Sequence, residues 1–304
     1  MKTVRHLLLM FTLLLPLPMQ AKLKVFTCEP EWAALARELG ADHVEVTSAT
    51  QAMQDPHYIQ ARPSLIARIR KADLLVCTGA GLEAGWLPVL LRKGNNPRIL
   101  SGQPGHLMAT DHVSKKEIPT VVDRSMGDIH AGGNPHIQTD PRNIVEVAEV
   151  LAERFKMLDN ANRDEYQRRY DDFSVRWAAA IERWQQQAAS LRGLPVVVYH
   201  RSWIYLQDWL GLQEVASLEP KPGIPPSSGY LADLLSRTEG LSGLIIIHSQ
   251  YQESKAINWF SRKSGAPVVL LPSTVGATPG ANDLTSWYED IIQRLLNAHG
   301  AGDD

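Results

Sequence analysis

Charge of one sign, cysteine motifs and long apolar runs are all scarce in this chain of 304 residues. Its 31 lysine and arginine residues nearly balance 33 aspartate and glutamate residues, which gives a formal net charge of −2. This balance argues against the strongly basic surfaces that bind nucleic acid or anionic membranes. We therefore expect neither nucleic acid nor a membrane surface as a partner.

Only the N-terminus carries a conspicuous apolar run. Lys2 and Arg5 precede the stretch Leu7–Leu17, which is too short to span a bilayer as a stable helix. Ala21 is the small residue expected before a cleavage site, so the pattern predicts a signal peptide over residues 1–21. The alternative is an N-terminal membrane anchor. We expect the mature chain to be exported and soluble.

The chain has two cysteines, Cys28 and Cys77, and no Cys-x-x-Cys spacing that would suggest a thiolate metal site. In an exported protein two thiols often pair. Both residues lie near the carboxyl ends of predicted strands and would meet if those strands are neighbours. The sequence leaves a disulfide and two buried free thiols as open alternatives.

Short apolar runs alternate with helical patterns in both halves of the chain, and this rhythm predicts an α/β fold. Residues 163–191 contain no glycine or proline and place aromatic residues at helical spacing, which predicts one long, stiff helix. We expect two lobes, each with a mainly parallel sheet flanked by helices. The predicted divisions are an N-terminal lobe at 22–158, a linking helix at 159–192 and a C-terminal lobe at 193–304.

Residues 93–133 interrupt the α/β rhythm of the N-terminal lobe with many glycine, asparagine and proline residues. Long irregular segments of this kind are usually functional or mobile, so we predict a mobile loop. His106, His112 and His130 lie in it, and we interpret them as solvated loop histidines.

Three other histidines lie in distinctive local sequences. His57 and His136 each follow a proline, and His200 ends the apolar run Pro195–Tyr199. Neutral imidazole is a preferred zinc ligand, and ligands of open α/β sheets bind outside the carboxyl ends of strands. The three side chains are therefore candidate metal ligands.

These motifs make the chain similar to the zinc- and manganese-binding solute receptors of ABC metal importers, the cluster A-1 or TroA-like family. The resemblance implies a periplasmic, monomeric receptor that delivers its metal to a membrane permease, with a metallochaperone as a further partner. It also implies that His57, His136 and His200 are metal ligands, the first two from the N-terminal lobe and the third from the C-terminal lobe. The resemblance rests on Asp55-Pro56-His57 with Arg62-Pro63-Ser64, Gly127-Asp128, Gly133-Asn134-Pro135-His136, Tyr199-His200, and Gly79-Ala80-Gly81-Leu82-Glu83 with Trp86.

The fourth ligand is where the chain departs from the family pattern. Relatives often supply an aspartate near the end of the last strand, where this chain has Ser273. Asp283, His248 and a water molecule remain candidates, and we include Asp283 in the predicted site. Residues expected to orient the histidine rings through hydrogen bonds are Arg62, Asp128 and Asn134.

The metal follows from the ligand types. Nitrogen-rich tetrahedral sites suit zinc, and manganese receptors resemble one another in having a glutamate at the position of His200, so we predict zinc. A manganese or iron receptor, a periplasmic zinc metallochaperone and a zinc hydrolase are the alternatives. No His-Glu-x-x-His pattern is present, and we expect no enzyme activity.

Overall fold

Two parallel sheets of four strands lie at the centres of two lobes in the computed structural model, which describes residues 21–123 and 126–300. The predicted signal peptide lies outside the described residues, apart from Ala21. Among the helices of the described ranges, none combines the length and apolar character that crossing a membrane requires.

The N-terminal lobe is built around a sheet with the strand order β2-β1-β3-β4, all parallel. Proline occupies the first turn of its four helices, where the missing N–H is not needed for a helical hydrogen bond. The elements are β1 (Leu23–Thr27), α1 (Pro30–Gly40), β2 (Val44–Ser48), α2 (Pro63–Ile69), β3 (Leu74–Cys77), α3 (Leu87–Gly94), β4 (His106–Met108) and α4 (Pro141–Leu158), followed by α5 (Arg163–Gln187).

The C-terminal lobe repeats this architecture, with the strand order β6-β5-β7-β8 and parallel pairing throughout. Its central strands are continuous apolar runs because helices cover both faces of the sheet. The elements are β5 (Pro195–Val198), α6 (Ile204–Leu210), β6 (Gln213–Ser217), α7 (Ser228–Thr238), β7 (Ile245–His248), α8 (Ser254–Ser264), β8 (Val268–Leu270) and α9 (Leu284–Gly300).

The two-lobed α/β prediction is confirmed, with two local corrections. The segment 93–133 is not irregular throughout, because it includes β4, which pairs with β3. The sequence analysis also missed β6, whose residues are largely polar. The mobility of the segment and the exact division between lobes stay predictions.

The long helix α5 has 25 residues and is about 37 Å long. It packs against α1 and α4 of the N-terminal lobe and α9 of the C-terminal lobe. Its predicted aromatic face is buried, with Tyr166, Phe173, Trp177 and Trp184 in the core. The helix ends at Gln187 and residues 189–191 form a separate short turn of 3-10 helix, so the predicted helix is a few residues too long.

Cys28 and Cys77 form a disulfide, with their Cα atoms 4.7 Å apart. The bond joins the carboxyl ends of β1 and β3, which are neighbours in the sheet. Of the two alternatives left open by the sequence, the structure therefore has the disulfide.

Tyr288 links the two lobes, since its hydroxyl donates to the carbonyl of Gln138 across 2.5 Å. Tyr288→Phe leaves this buried carbonyl without a partner, so we expect a loss of about 1–3 kcal/mol in the free energy of unfolding. Tyr170→Phe is the matched control, because no hydrogen bond of its hydroxyl is found within the described chain, and it should cost less than about 0.5 kcal/mol. Urea unfolding measures both, and equal losses would contradict this role.

Candidate metal centre

His57, His136 and His200 come together in the cleft between the lobes. One ring nitrogen from each lies within 4.8 Å of the corresponding nitrogen of the other two. The ring centroids are 5.5 Å apart for His57 and His136, 5.7 Å for His57 and His200, and 5.5 Å for His136 and His200. We call this group the three-histidine cluster.

His57 is oriented by the aspartate two residues before it. Its Nδ1 lies 2.6 Å from Asp55 Oδ1, which also accepts the backbone N–H of His57 at 3.0 Å. Burial raises the pKa of Asp55, but the hydrogen bonds and charge of His57 lower it more, so the net pKa lies below its usual value. A charged carboxylate therefore holds the proton on Nδ1 and leaves the Nε2 lone pair free.

His200 has an equivalent partner from a distant part of the chain. Its Nδ1 lies 2.7 Å from Glu219 Oε2, and both side chains are largely buried. The same carboxylate oxygen accepts the backbone N–H of Gly223 at 3.2 Å. A ligand histidine commonly has such a carboxylate behind it, because the pairing fixes the tautomer and makes the ring a better donor to metal.

His136 is the most enclosed ring, with only 3 % of its surface exposed. Its Nε2 is buried and has no hydrogen-bond partner within the described chain. Burial, followed by the charges of His200 and His57, lowers the pKa of His136 well below its usual value. The ring is therefore neutral at neutral pH, with a lone pair available to a cation, and the donor set fits a metal ion.

The predicted orienting residues have other roles. Asn134 accepts the backbone N–H of His136 at 3.0 Å and does not hold its ring. Asp128 accepts a hydrogen bond from the hydroxyl of Tyr58, and Arg62 is exposed just before α2. The prediction of ring partners is therefore wrong: carboxylates hold the rings, and Asp55 was already visible in the Asp-Pro-His motif.

The structure does not bring the candidate fourth ligands of the sequence analysis to the cluster. Asp283 is exposed and accepts hydrogen bonds from the backbone N–H and the hydroxyl of Ser286, at 2.8 and 2.9 Å, at the start of α9. His248 Nδ1 lies 3.0 Å from the carbonyl oxygen of Ser249. In the described residues, neither side chain belongs to the group of converging ligand atoms.

A fourth histidine, His130, lies beside the cluster instead. Its Nε2 is 3.2 Å from Nε2 of His57, and its ring centroid is 6.4 Å from that of His136. Burial, with the charges of His57 and His200, lowers the pKa of His130 to about 4. The interpretation as a solvated loop histidine is wrong for this residue. One feature of the sequence could have pointed to it: His130 lies between Gly127-Asp128 and Gly133-Asn134-Pro135-His136, two of the motifs that carry the family resemblance.

Two cavities, of 490 and 330 Å³, border the histidines. The smaller one is bordered by several acidic side chains, which raise the local concentration of cations and disfavour anions. These acidic residues are Asp55, Asp128, Glu219 and Glu253.

The fold and the converging imidazoles define a two-lobed binding protein for a metal ion. The chain belongs to the family described as "ZnuA: Zinc-uptake complex component A periplasmic", whose sequence profile matches residues 25–298. Members of this family are solute-binding receptors and not enzymes, which confirms the expectation that the protein is not an enzyme. The chain thus belongs to a family of extracytoplasmic metal-binding receptors of ABC transporters.

Individual relatives are more distant. The manganese ABC transporter substrate-binding lipoprotein PsaA of Streptococcus pneumoniae is 26% identical over 151 residues, which are 48% of this chain and 45% of that protein. FimA of Streptococcus parasanguinis, a metal ABC transporter substrate-binding lipoprotein, is 25% identical over the same length and shares of the two chains. The chain thus matches about half the length of these curated relatives.

Solved structures share the fold over nearly the whole chain. A crystal structure of ZnuA superposes with a TM-score of 0.75 at 21% identity, covering 92% of this chain and 100% of the other. A manganese-bound periplasmic metal-binding protein from Candidatus Liberibacter asiaticus gives a TM-score of 0.73 at 16% identity, covering 91% and 100%.

Glu219→Gln tests whether the carboxylate behind His200 matters for metal binding. We expect zinc affinity to fall by about 10- to 100-fold, because a neutral amide, which both donates and accepts, no longer fixes the tautomer of the ring. Glu253→Gln is the control, since it removes the same charge from the cavity without touching a ring. Competition with a zinc chelator measures both. Equal losses in the two variants would show that only the overall charge matters.

Proposed function

We propose that this protein captures zinc in the periplasm and delivers it to the permease of an ABC importer. The observation that carries the proposal is the convergence of three imidazoles from both lobes, with Nε2 of His136 buried and without a hydrogen-bond partner. Three imidazole nitrogens at this spacing suit a tetrahedral cation with one further position. The metal is the cargo of the protein, so the site must also release it.

The ligand types favour zinc over manganese. The three converging donors are nitrogens, and manganese prefers oxygen-rich sites. The nearest carboxylates, Asp55 and Glu219, already accept hydrogen bonds from the histidine rings. Manganese remains the second candidate, because a carboxylate that turned toward the cleft would supply an oxygen ligand and because PsaA is described as a manganese receptor.

The N-terminal lobe supplies two of the three proposed ligands and the C-terminal lobe supplies one. This difference suggests how the metal is released to the permease. His57 and His136 precede α2 and α4 of the N-terminal lobe, whereas His200 follows β5 of the C-terminal lobe. Separating the lobes would therefore remove one ligand of three and weaken binding. We propose that docking on the permease acts in this way. A metallochaperone would share the site but would not need a permease, so zinc uptake in cells with and without the permease separates the two functions.

The ligand assignment predicts a sharp loss of binding when His136 is removed. His136→Ala should lower zinc affinity by orders of magnitude, because two remaining nitrogens cannot fill a tetrahedral coordination shell. Asp283→Asn is the control and should bind zinc normally. Elemental analysis of the purified protein gives the metal and its stoichiometry, which we expect to be one zinc per chain. Near-native zinc binding by His136→Ala would refute the assignment.

Zinc affinity should also depend on pH. Protons compete with the metal for imidazole nitrogen, so affinity should be highest above pH 7 and fall as the pH drops below about 6.5. His136 contributes little to this loss near pH 6, because its lowered pKa keeps it neutral. Chelator competition at several pH values between 7.5 and 5 measures the effect. A constant affinity over this range would indicate ligands other than histidine.

A further inference from the structure

We propose that His130 is a fourth metal ligand, and that it turns the three-histidine cluster into a shell of four imidazole nitrogens. This inference rests on the proposed function, since it concerns the same metal. It departs from the sequence-based candidates for the fourth position, which are Asp283, His248 and a water molecule. Of these, Asp283 and His248 have hydrogen-bond partners elsewhere.

The first argument is the contact between His57 and His130. Their Nε2 atoms face each other at 3.2 Å. Nδ1 of His57 carries its proton toward Asp55, so its Nε2 presents a lone pair. Nδ1 of His130 lies beside Gly81, 3.6 Å from where a Cβ on that glycine would stand. At this distance an N–H of His130 can donate to the lone pair of His57, and a metal ion that displaced this proton would bind both nitrogens.

The second argument is the distance itself. Zinc binds histidine nitrogen at about 2.0–2.1 Å, so two nitrogens of one tetrahedral site lie about 3.3 Å apart. The observed 3.2 Å between the two Nε2 atoms fits this value. The ring of His130 is farther from His136 than the cluster rings are from one another, at 6.4 Å against 5.5 Å. Its nitrogens are not within 4.8 Å of all three cluster nitrogens, so the ring must move closer when all four bind one ion.

The third argument is how the chain holds His130. On one side, the N–H of Asp128 donates to the carbonyl of Pro222 in the C-terminal lobe, at 2.9 Å. Gly127 has a φ of +79°, and a Cβ there would lie 2.3 Å from the same carbonyl oxygen. On the other side, a Cβ on Gly132 would lie 2.9 Å from Cα of Ala80 in the N-terminal lobe. His130 is thus carried by a short segment anchored on both lobes.

As a fourth ligand, His130 would determine whether the site prefers zinc or manganese. A fourth imidazole gives a site of nitrogen donors only, which suits zinc and disfavours manganese. Removing it leaves a position for water, an oxygen donor that manganese accepts more readily. His130→Ala should therefore lower zinc affinity by at least about 10-fold, since losing a mere hydrogen-bond partner of a ligand already costs that much. The affinity for manganese should change less.

X-ray absorption at the zinc edge of the full chain tests the proposal directly. We expect four imidazole nitrogens in the unaltered protein, and three with one oxygen in His130→Ala. His112→Ala, a histidine of the same part of the chain that lies outside the cluster, should keep all four. Three imidazoles in the unaltered protein would overturn the proposal, and this result does not depend on any variant folding correctly.

Chelator competition with Zn²⁺ and Mn²⁺ separates this proposal from the proposed function. If His136→Ala loses zinc while His130→Ala keeps full zinc affinity and selectivity, the receptor function stands and the fourth ligand is wrong. If His136→Ala binds zinc normally, the proposed function itself fails. Loss in both variants, with zinc affected more than manganese in His130→Ala, supports the fourth ligand.

Discussion

The distance between the two lobes is the constraint on which the proposed metal centre depends, because its histidines come from both of them. An aromatic group fixes this distance. The ring of Tyr288 on α9 stacks on Trp184 of α5 at 5.2 Å and meets Trp177 at 5.5 Å. Trp177 in turn donates from Nε1 to the carbonyl of Pro141, at the start of α4. These contacts join helices of both lobes, so the cluster keeps its spacing through the rigidity of α5.

The local environment of each histidine determines how much of the site could be predicted from sequence. His57 and His136 follow prolines, and their backbone N–H groups donate to nearby side chains, that of His57 to Asp55 and that of His136 to Asn134. These features act within two residues and are visible in the sequence. The partner of His200, Glu219, lies 19 residues away. It becomes a neighbour only when β6 pairs with β5, and that pairing was not predicted.

The missed elements share a physical cause. β4 has three residues, and β6 has the sequence Gln-Glu-Val-Ala-Ser, and both are edge strands. An edge strand buries less side-chain surface than a central one, so its sequence shows little of the apolar run that marks β3 or β5. A different cause explains why the position of His130 was not predicted. Its position depends on contacts with Pro222 and Ala80, which local sequence patterns do not encode.

The distribution of carboxylate charge also explains why the histidines, and not the acidic residues nearby, are suited to bind the metal. Three glutamates of the N-terminal lobe are buried, namely Glu29, Glu31 and Glu83. Burial raises the pKa of all three, that of Glu31 to about 7. A carboxyl group with a raised pKa binds a cation less readily, because the cation must compete with a more tightly held proton. Asp55 has a lowered pKa and keeps its charge, but its carboxylate is hydrogen-bonded to the ring of His57. In the proposed site, negative charge would therefore act on the metal through an imidazole, which attracts the cation while keeping the donor atoms nitrogen.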